Sequence, residues 1–155
     1  MHSPNAKLRR ALLFALVLAL GLIIVYLQIN GVGKENIPIP LPTPQISGNT
    51  ADLVSFSIHP GADVSGIIDA AGSVRGGYFF EGNIVVKVLD AKKNVLKSGN
   101  GTATTDWMTA DPVSFTTTVD FAGLPAGDGF IRLQNDNPSG DPANEKHIDI
   151  PIQFK

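Results

Sequence analysis

The chain has 155 residues, a formal net charge of −2 and no cysteine. The absence of cysteine excludes a disulfide scaffold, a thiol nucleophile, a Cys-ligated metal site and a lipid-modified N-terminal cysteine. The charge is uneven, because residues 1–10 carry +3 and residues 51–155 carry −5. A mildly acidic main body argues against a nucleic-acid partner, which requires a basic face.

Residues 11–29 predict a transmembrane helix after a basic N-terminal segment, residues 1–10. The 19 residues carry no charge and would form a helix of roughly 28 Å, close to the thickness of the hydrocarbon core. The preceding Lys7, Arg9 and Arg10 favour a cytoplasmic N-terminus by the positive-inside rule. We therefore expect a single-pass signal-anchor that contacts the lipid bilayer of the cytoplasmic membrane through residues 11–29. The rest of the chain then lies outside the cytoplasm.

A cleaved signal peptide is the alternative to an anchor. Such peptides have an apolar region of about 7–15 residues followed by small residues at the cleavage site. The apolar segment here is longer, and only Gly31-Val32-Gly33 resembles a cleavage site. The sequence favours the anchor and leaves cleavage open.

Residues 30–50 predict a proline-rich extracytoplasmic linker. Proline occupies every second position from Pro38 to Pro44, which excludes a helix or a central strand. The eight residues 37–44 would span roughly 25 Å as a semi-rigid stalk. A docking motif for a proline-recognising domain is the other interpretation, but those domains are mostly intracellular.

Residues 51–155 alternate between apolar and polar side chains, which is typical of antiparallel strands with one buried face. The apolar positions of the three clearest runs are Val54, Phe56 and Ile58, then Val113, Phe115, Thr117, Val119 and Phe121, then Ile148, Ile150, Ile152 and Phe154. The alternation places Asp149, Pro151 and Gln153 on the solvent side of the last strand. Pro151 cannot donate a hydrogen bond, so this strand is predicted to be an edge or to pair on one side only.

Further strands are predicted near residues 67–74, 78–89, 95–104 and 130–134. Residues 84–89 are almost continuously apolar, which favours a central strand, and residues 90–94 form its turn. About seven short strands predict an all-β, immunoglobulin-like antiparallel sandwich. The expected core aromatic residues are Phe56, Phe115, Phe121, Phe130, Phe154 and Trp107.

Four motifs in order resemble the immunoglobulin-like domain family of bacterial spore germination proteins. They are Tyr78-Phe79-Phe80-Glu81-Gly82, Asp106-Trp107-Met108-Thr109 with Val113-Ser114-Phe115, Asn137-Pro138-Ser139-Gly140, and the closing run from Ile148 to Phe154. The resemblance covers residues 51–155. It implies a bacterial, extracytoplasmic β-sandwich without catalytic residues.

The sequence contains no recognisable catalytic motif, since it has neither a Gly-x-Ser-x-Gly elbow nor a phosphate-binding loop. His59 and His147 are interpreted as solvated loop or strand-end residues. Glu81, which lies in an aromatic stretch, is interpreted as a structural residue hydrogen-bonded to a neighbouring loop. Its alternative role is a general acid with a raised pKa.

The segment 135–146 is the longest predicted loop. Oxygen-bearing residues at 135, 137 and 139 imitate the start of a calcium loop, but Lys146 stands where a bidentate Glu is required. A turn held by Asn and Ser side chains is favoured, and neither a metal nor another cofactor is predicted. The same loop is the candidate partner-binding segment, through Asp136, Asn137, Ser139, Asp141 and Glu145.

The sequence therefore predicts a membrane-anchored, non-enzymatic interaction module of the bacterial cell envelope. Its expected partner is an unidentified envelope protein or cell-wall component. Two alternatives remain. One is a small envelope enzyme that uses Glu81 or His147 with a loop carboxylate. The other is a cell-wall carbohydrate-binding module, for which Tyr78, Phe79, Phe80 and Trp107 are the available stacking residues.

Overall fold

The computed structural model describes residues 5–30 and 44–155, with side chains in the helix described over residues 9–26. The chain divides into two units, Met1–Leu41 and Pro42–Lys155. The candidate cleavage site at residues 31–33 and most of the proline-rich stalk lie outside the described residues.

The first unit contains one helix, α1, which spans Asn5–Asn30 and includes the predicted segment 11–29. Its window Arg9–Tyr26 is long and apolar enough to cross a membrane, and the side chains of this window are exposed. Leucine and alanine, both good helix formers, make up much of the segment. The helix α1 is therefore a candidate membrane span.

The second unit is built from strands, and the described residues contain nine of them. The strands are β1 (Ser47–Gly48), β2 (Leu53–Phe56), β3 (Ala62–Val64), β4 (Ile67–Arg75), β5 (Asn83–Asp90), β6 (Val95–Ala103), β7 (Pro112–Asp120), β8 (Gly127–Gln134) and β9 (His147–Phe154). Two short 3₁₀ turns, Thr50–Asp52 and Pro142–Asn144, lie between them. Ser47–Gly48, from the end of the predicted linker segment, form β1.

The strands pair in the order β1-β9-β8-β5-β6-β7-β4-β2, and β3 joins β9 in parallel. All other pairings are antiparallel. Strand β6 pairs with β5 along its length but with β7 only over Gly101–Ala103. The sheet bends at this point into two facing layers, which gives the predicted immunoglobulin-like sandwich.

The core forms between the two layers from the alternating residues of β7 and β9. The five apolar positions predicted from 113 to 121 and the four from 148 to 154 are all buried. Phe115 stacks on Phe56 and meets Phe79 edge-on, with ring centroids 6.1 Å apart in each pair. Phe121 and Phe154 join the layers at a centroid distance of 6.3 Å.

The structure corrects the predicted core at several positions. Val54 is 53% exposed, because a bulge between Leu53 and Ser55 shifts the alternation of β2. Phe130 and Trp107 are only half-buried. Tyr78 and Phe79, which precede β5 instead of belonging to it, are buried and take their place in the core.

Strand β9 is not an edge, contrary to the prediction drawn from Pro151. It pairs with β8 along its whole length, and β1 and β3 cover its other side in succession. Pro151 lies between these two short strands, where its missing N–H breaks no ladder bond. Its carbonyl accepts a hydrogen bond from the Gly61 amide at 2.7 Å.

Asp149 is the largest departure from the expected alternation, because its side chain is fully buried on the outer side of β9. Arg132, its cross-strand neighbour on β8, donates from Nε and Nη2 to the two carboxylate oxygens at 2.7 and 2.9 Å. Lys93 Nζ lies 2.8 Å from Oδ2. The two long cationic side chains exclude water from a carboxylate that the pattern places in solvent.

The pKa of Asp149 reflects this arrangement. Burial alone would raise the pKa, but the hydrogen bonds from Arg132 and Lys93 outweigh it and hold the pKa below its usual range. Lys93 also lies over the Phe130 ring, 5.3 Å from the centroid. The cluster ties the β5–β6 turn to strands β8 and β9.

Candidate functional site

Three loops meet at one end of the sandwich, and we call this surface the loop end. It comprises residues 76–82 between β4 and β5, 104–111 between β6 and β7, and 135–146 between β8 and β9. The Asp136 amide donates to the Tyr78 carbonyl at 3.1 Å, and the Gly76 amide donates to the Asp111 carbonyl at 3.0 Å. Backbone hydrogen bonds therefore join the first loop to each of the other two.

The buried side chain of Tyr78 holds the first loop in place. Its side chain is fully buried, and its hydroxyl donates to Asp52 Oδ2 at 3.3 Å. Burial raises the pKa of Tyr78 above its ordinary value, and the neighbouring carboxylate of Asp52 raises it further. Tyr78 is thus a structural residue and is not available as a stacking platform.

The Tyr78 pKa predicts a stability loss in alkali. A tyrosine in the unfolded chain ionises near pH 10, whereas folded Tyr78 stays protonated, so unfolding releases a proton above this pH. The stability that protonated Tyr78 contributes to the folded domain is therefore fully present below about pH 10 and declines above this pH. In urea unfolding between pH 8 and 11, Tyr78→Phe should lose stability less steeply than the wild type. Equal slopes above pH 10 would contradict the raised pKa.

The second half of the first loop is a tight turn that displays Glu81. Phe80 and Asn83 exchange backbone hydrogen bonds of 3.0 and 2.9 Å. The turn requires positive φ at both Glu81 (49°) and Gly82 (77°). Glu81 is exposed at its tip, so the interpretation as a structural Glu hydrogen-bonded to a neighbouring loop is wrong.

The base of the 135–146 loop is closed by Asn135, which is buried. Its Nδ2 donates to the Asn144 carbonyl at 2.9 Å, and its Oδ1 accepts from the Lys146 amide at 2.7 Å. The Asn135 amide also donates to the Lys146 carbonyl at 3.0 Å. These bonds hold the two ends of the loop together directly beyond β8 and β9.

The tip of this loop is held by the side chains that could otherwise have bound calcium. Asn137 Nδ2 donates to the Asp141 carbonyl at 2.8 Å, and Ser139 Oγ donates to Asn137 Oδ1 at 2.6 Å. Asp141 Oδ1 accepts from the Ala143 amide at 2.9 Å and caps the short 3₁₀ turn. The predicted turn held by Asn and Ser side chains is therefore present, and these oxygens already have protein partners.

The predicted site residues divide by exposure. Ser139, Asp141 and Glu145 are exposed, whereas Asp136 and Asn137 are half-buried. Within the described ranges, no group of three or more His, Asp or Glu side chains is placed to hold a metal ion. Asn137 and Ser139 serve mainly to shape the loop, and the carboxylates remain as the groups that could face a partner.

Apolar side chains are exposed at the loop end, and Phe80 is one of the four stacking residues that the sequence offers to a carbohydrate-binding module. Met108 is 76% exposed and Phe80 is 40% exposed. The half-buried Trp107 ring lies against the first loop, because its Cδ1 and Nε1 atoms are 3.6 Å from the position that a Cβ on Gly82 would take. Of these three residues, the sequence assigns only Trp107 to the core, and the exposure of Met108 is not predicted.

The loop end also carries the excess negative charge of the second unit. The three loops hold six carboxylates and a single cation, Lys146. The carboxylates are those of Glu81, Asp106, Asp111, Asp136, Asp141 and Glu145. The rest of residues 44–155 contains seven acids and seven bases. The net charge of −5 that residues 51–155 carry is therefore located at the loop end.

No contact among the described residues joins Glu81 to His147, the two residues named for the enzyme alternative. Glu81 lies at the tip of the first turn, whereas the His147 ring lies beside Gly48, with Cδ2 3.2 Å from the position of a Cβ there. In the part of the chain that the structure describes, neither side chain forms a hydrogen bond or ion pair with a carboxylate. His59 is exposed near the opposite end.

Comparison with known proteins agrees with this architecture. The family model of the immunoglobulin-like domain of bacterial spore germination matches residues 59–141, more than half of the chain. The match includes strands β3 to β8 and the first two loops of the loop end. No curated protein and no solved structure matches the chain. The chain therefore belongs to the family of immunoglobulin-like domains of bacterial spore germination.

Proposed function

We propose that this protein is a non-catalytic interaction module that α1 anchors in the cytoplasmic membrane, with its sandwich outside the cytoplasm. The observation that carries the proposal is the loop end, where a rigid sandwich supports three hydrogen-bonded loops that expose carboxylates and large apolar side chains. Loops on such scaffolds are the usual place of binding function. An envelope protein is the kind of partner that this surface suits.

The loop end is suited to binding because little of it must be ordered on contact. The hydrogen bonds of Asn135, Asn137 and Asp141 already fix the longest loop. A preordered surface loses less conformational entropy when it binds. Support for catalysis is weaker, since among the described residues the side chains of Glu81 and His147 have no hydrogen bond or ion pair that would position them for acid–base chemistry.

The proposed orientation predicts the behaviour of a topology reporter. Alkaline phosphatase fused after Lys155 should be active and should sediment with the membrane fraction, because the enzyme folds only outside the cytoplasm. The same fusion made in a chain with Lys7, Arg9 and Arg10 replaced by Glu should lose activity if these charges set the orientation. Activity found only in the soluble fraction would indicate cleavage, and an inactive wild-type fusion would reverse the orientation.

Site-specific photocrosslinking in intact cells tests the proposed function itself. A photoreactive benzoylphenylalanine at Met108 should give a discrete crosslinked product, because Met108 is the most exposed apolar residue of the loop end. Ile67 is the matched control, since it is 68% exposed and lies at the opposite end of the sandwich. Equal products from both positions, or none from Met108, would contradict the assignment of the loop end as the contact surface.

A further inference from the structure

The carboxylates of this domain fall into two classes, those that form a hydrogen bond or an ion pair with another side chain and those that do not. All seven outside the loop end have a side-chain partner. They are Asp52 with Tyr78, Asp63 with Lys155, Asp69 with Thr118, Asp90 with Asn94, Asp120 with Lys97, Asp128 with Gln153, and Asp149 with Arg132 and Lys93. Outside the loop end, every acid among residues 44–155 therefore has a side-chain partner.

The six carboxylates of the loop end do not follow this rule. Asp106 and Asp141 accept only from backbone amides, those of Met108 and Ala143. Across the described ranges 5–30 and 44–155, no side chain bonds to the carboxylates of Glu81, Asp111, Asp136 or Glu145. The charge of Glu145 does act on Arg132, and Lys146 is the one cation of the loop end, but six carboxylates against this one lysine leave an excess of negative charge that favours a cationic ligand.

The apolar side chains beside these carboxylates restrict the kind of cation. Phe80 and Met108 expose apolar surface, and Trp107, the neighbour of Met108 in sequence, packs beside Gly82 of the first loop. An inorganic cation would satisfy the charges and leave this surface in water. Aromatic and methionine side chains surrounded by a polar rim are typical of protein–protein contact surfaces. The carboxylates of the loop end would repel anionic partners, including nucleic acids and acidic lipid headgroups.

We propose that the loop end binds a cationic polypeptide segment in which basic residues flank an apolar side chain. This inference rests on the proposed function and names the chemistry of its partner. The basic residues face Glu81, Asp111, Asp136 and Glu145, and the apolar side chain packs against Trp107 and Met108. Because the sequence contains one tryptophan, binding reports directly in its fluorescence.

The test is a fluorescence titration of the full-length chain in micelles of a neutral detergent. The probes are three short peptides, Ac-Lys-Lys-Leu-Lys-Lys-amide, the same peptide with Ser in the centre, and Ac-Glu-Glu-Leu-Glu-Glu-amide. We expect the Leu peptide to bind about five- to tenfold more tightly than the Ser peptide, as partial burial of one leucine provides. Its affinity should fall as salt is added, and the acidic peptide should not bind.

Charge-neutral variants locate the binding surface. The triple variant Glu81→Gln, Asp111→Asn and Asp136→Asn should weaken the Leu peptide at least tenfold. The matched control, Asp63→Asn, Asp120→Asn and Asp128→Asn, removes the same charge at the opposite end and should bind as the wild type does. Met108→Ala should reduce the preference for Leu over Ser and leave the Ser peptide unchanged.

Several results would overturn the proposal. Equal affinity for the Leu and Ser peptides would reduce the surface to a nonspecific cation site. The same conclusion would follow if calcium chloride at the same charge concentration gave the fluorescence change that the Leu peptide gives. Unchanged binding by the loop-end triple variant would place the peptide elsewhere. If the peptides fail while Met108 still crosslinks in cells, the partner class is wrong and the contact surface stands.

Discussion

Replacing Arg132 by Met should cost the domain about 3 kcal/mol of unfolding free energy, because the buried carboxylate of Asp149 then keeps Lys93 as its only cationic partner. Arg132 and Asp149 are cross-strand neighbours joined by two hydrogen bonds. Removing one member of a buried pair leaves an uncompensated charge, which is more costly than the pair itself is stabilising. Urea unfolding at pH 7 measures the effect.

Two further variants make this prediction specific. Arg75 is exposed, and Arg75→Met should change stability by less than about 0.5 kcal/mol. The double variant Arg132→Met and Asp149→Leu should recover most of the loss, since an apolar pair has no charge to leave unpaired. A double variant less stable than Arg132→Met alone would show that the ion pair itself stabilises the fold.

The pH dependence of the same pair has a definite sign. The folded pKa of Asp149 is lowered, so its stabilisation is present above the unfolded value of about 3.9 and is lost as the pH falls through the folded pKa. The difference between wild type and Arg132→Met should therefore shrink in acid. A difference that stays constant down to pH 2 would mean that Asp149 is not the group involved.

Phe115→Ala should cost about 3–5 kcal/mol, the second large effect expected from this fold. Phe115 is 1% exposed and contacts the rings of Phe56 and Phe79. Alanine would leave a cavity between the layers that rigid strands cannot close. With a typical domain stability of about 5–15 kcal/mol, the variant should be strongly destabilised.

Phe80→Ala is the matched control for this variant, because it removes the same atoms from a ring that is 40% exposed at the loop end. We expect a loss below about 1 kcal/mol. Thermal unfolding followed by circular dichroism compares the two. Similar losses at positions 80 and 115 would contradict the assigned core.

The sandwich could be predicted from the sequence because its signal is local. A period of two identifies a half-buried strand wherever a strand is regular, as in β7 and β9. The failures occur where the pattern is interrupted. A bulge exposes Val54, and Tyr78 and Phe79 enter the core from a loop that has no period.

Asp149 shows a different limit. The alternation correctly places the Asp149 side chain on the outer face of β9. It does not reveal that Arg132 and Lys93 cover this part of the face. The partners are 17 and 56 residues away in sequence. Burial by long side chains from other strands is a tertiary effect that a local pattern does not contain.

The candidate site was predictable only in part for the same reason. The 135–146 loop and its acidic residues are recognisable from the composition of the sequence alone. Its neighbours at the loop end lie between other strands, and their proximity depends on the strand order. The exposure of Met108 and the grouping of six carboxylates on one surface are therefore evident only in the fold.

The pairing of β1 with β9 determines how the domain would respond to mechanical tension. Pro44 lies beside Gly61 and Ile152, in the half of the sheet remote from the loop end, and the chain then runs towards the loop end as β1. A pull on Pro44 against a partner held at the loop end acts along the axes of these antiparallel strands. The pairings at Ser47 and Gly48 and the bond from the Asn49 amide to the His147 carbonyl are then loaded together in shear. Bonds loaded together resist rupture better than bonds that open one after another, so in the anchored arrangement that we propose, the entry of the chain at Pro44 would load β1 in shear and would not peel it from β9.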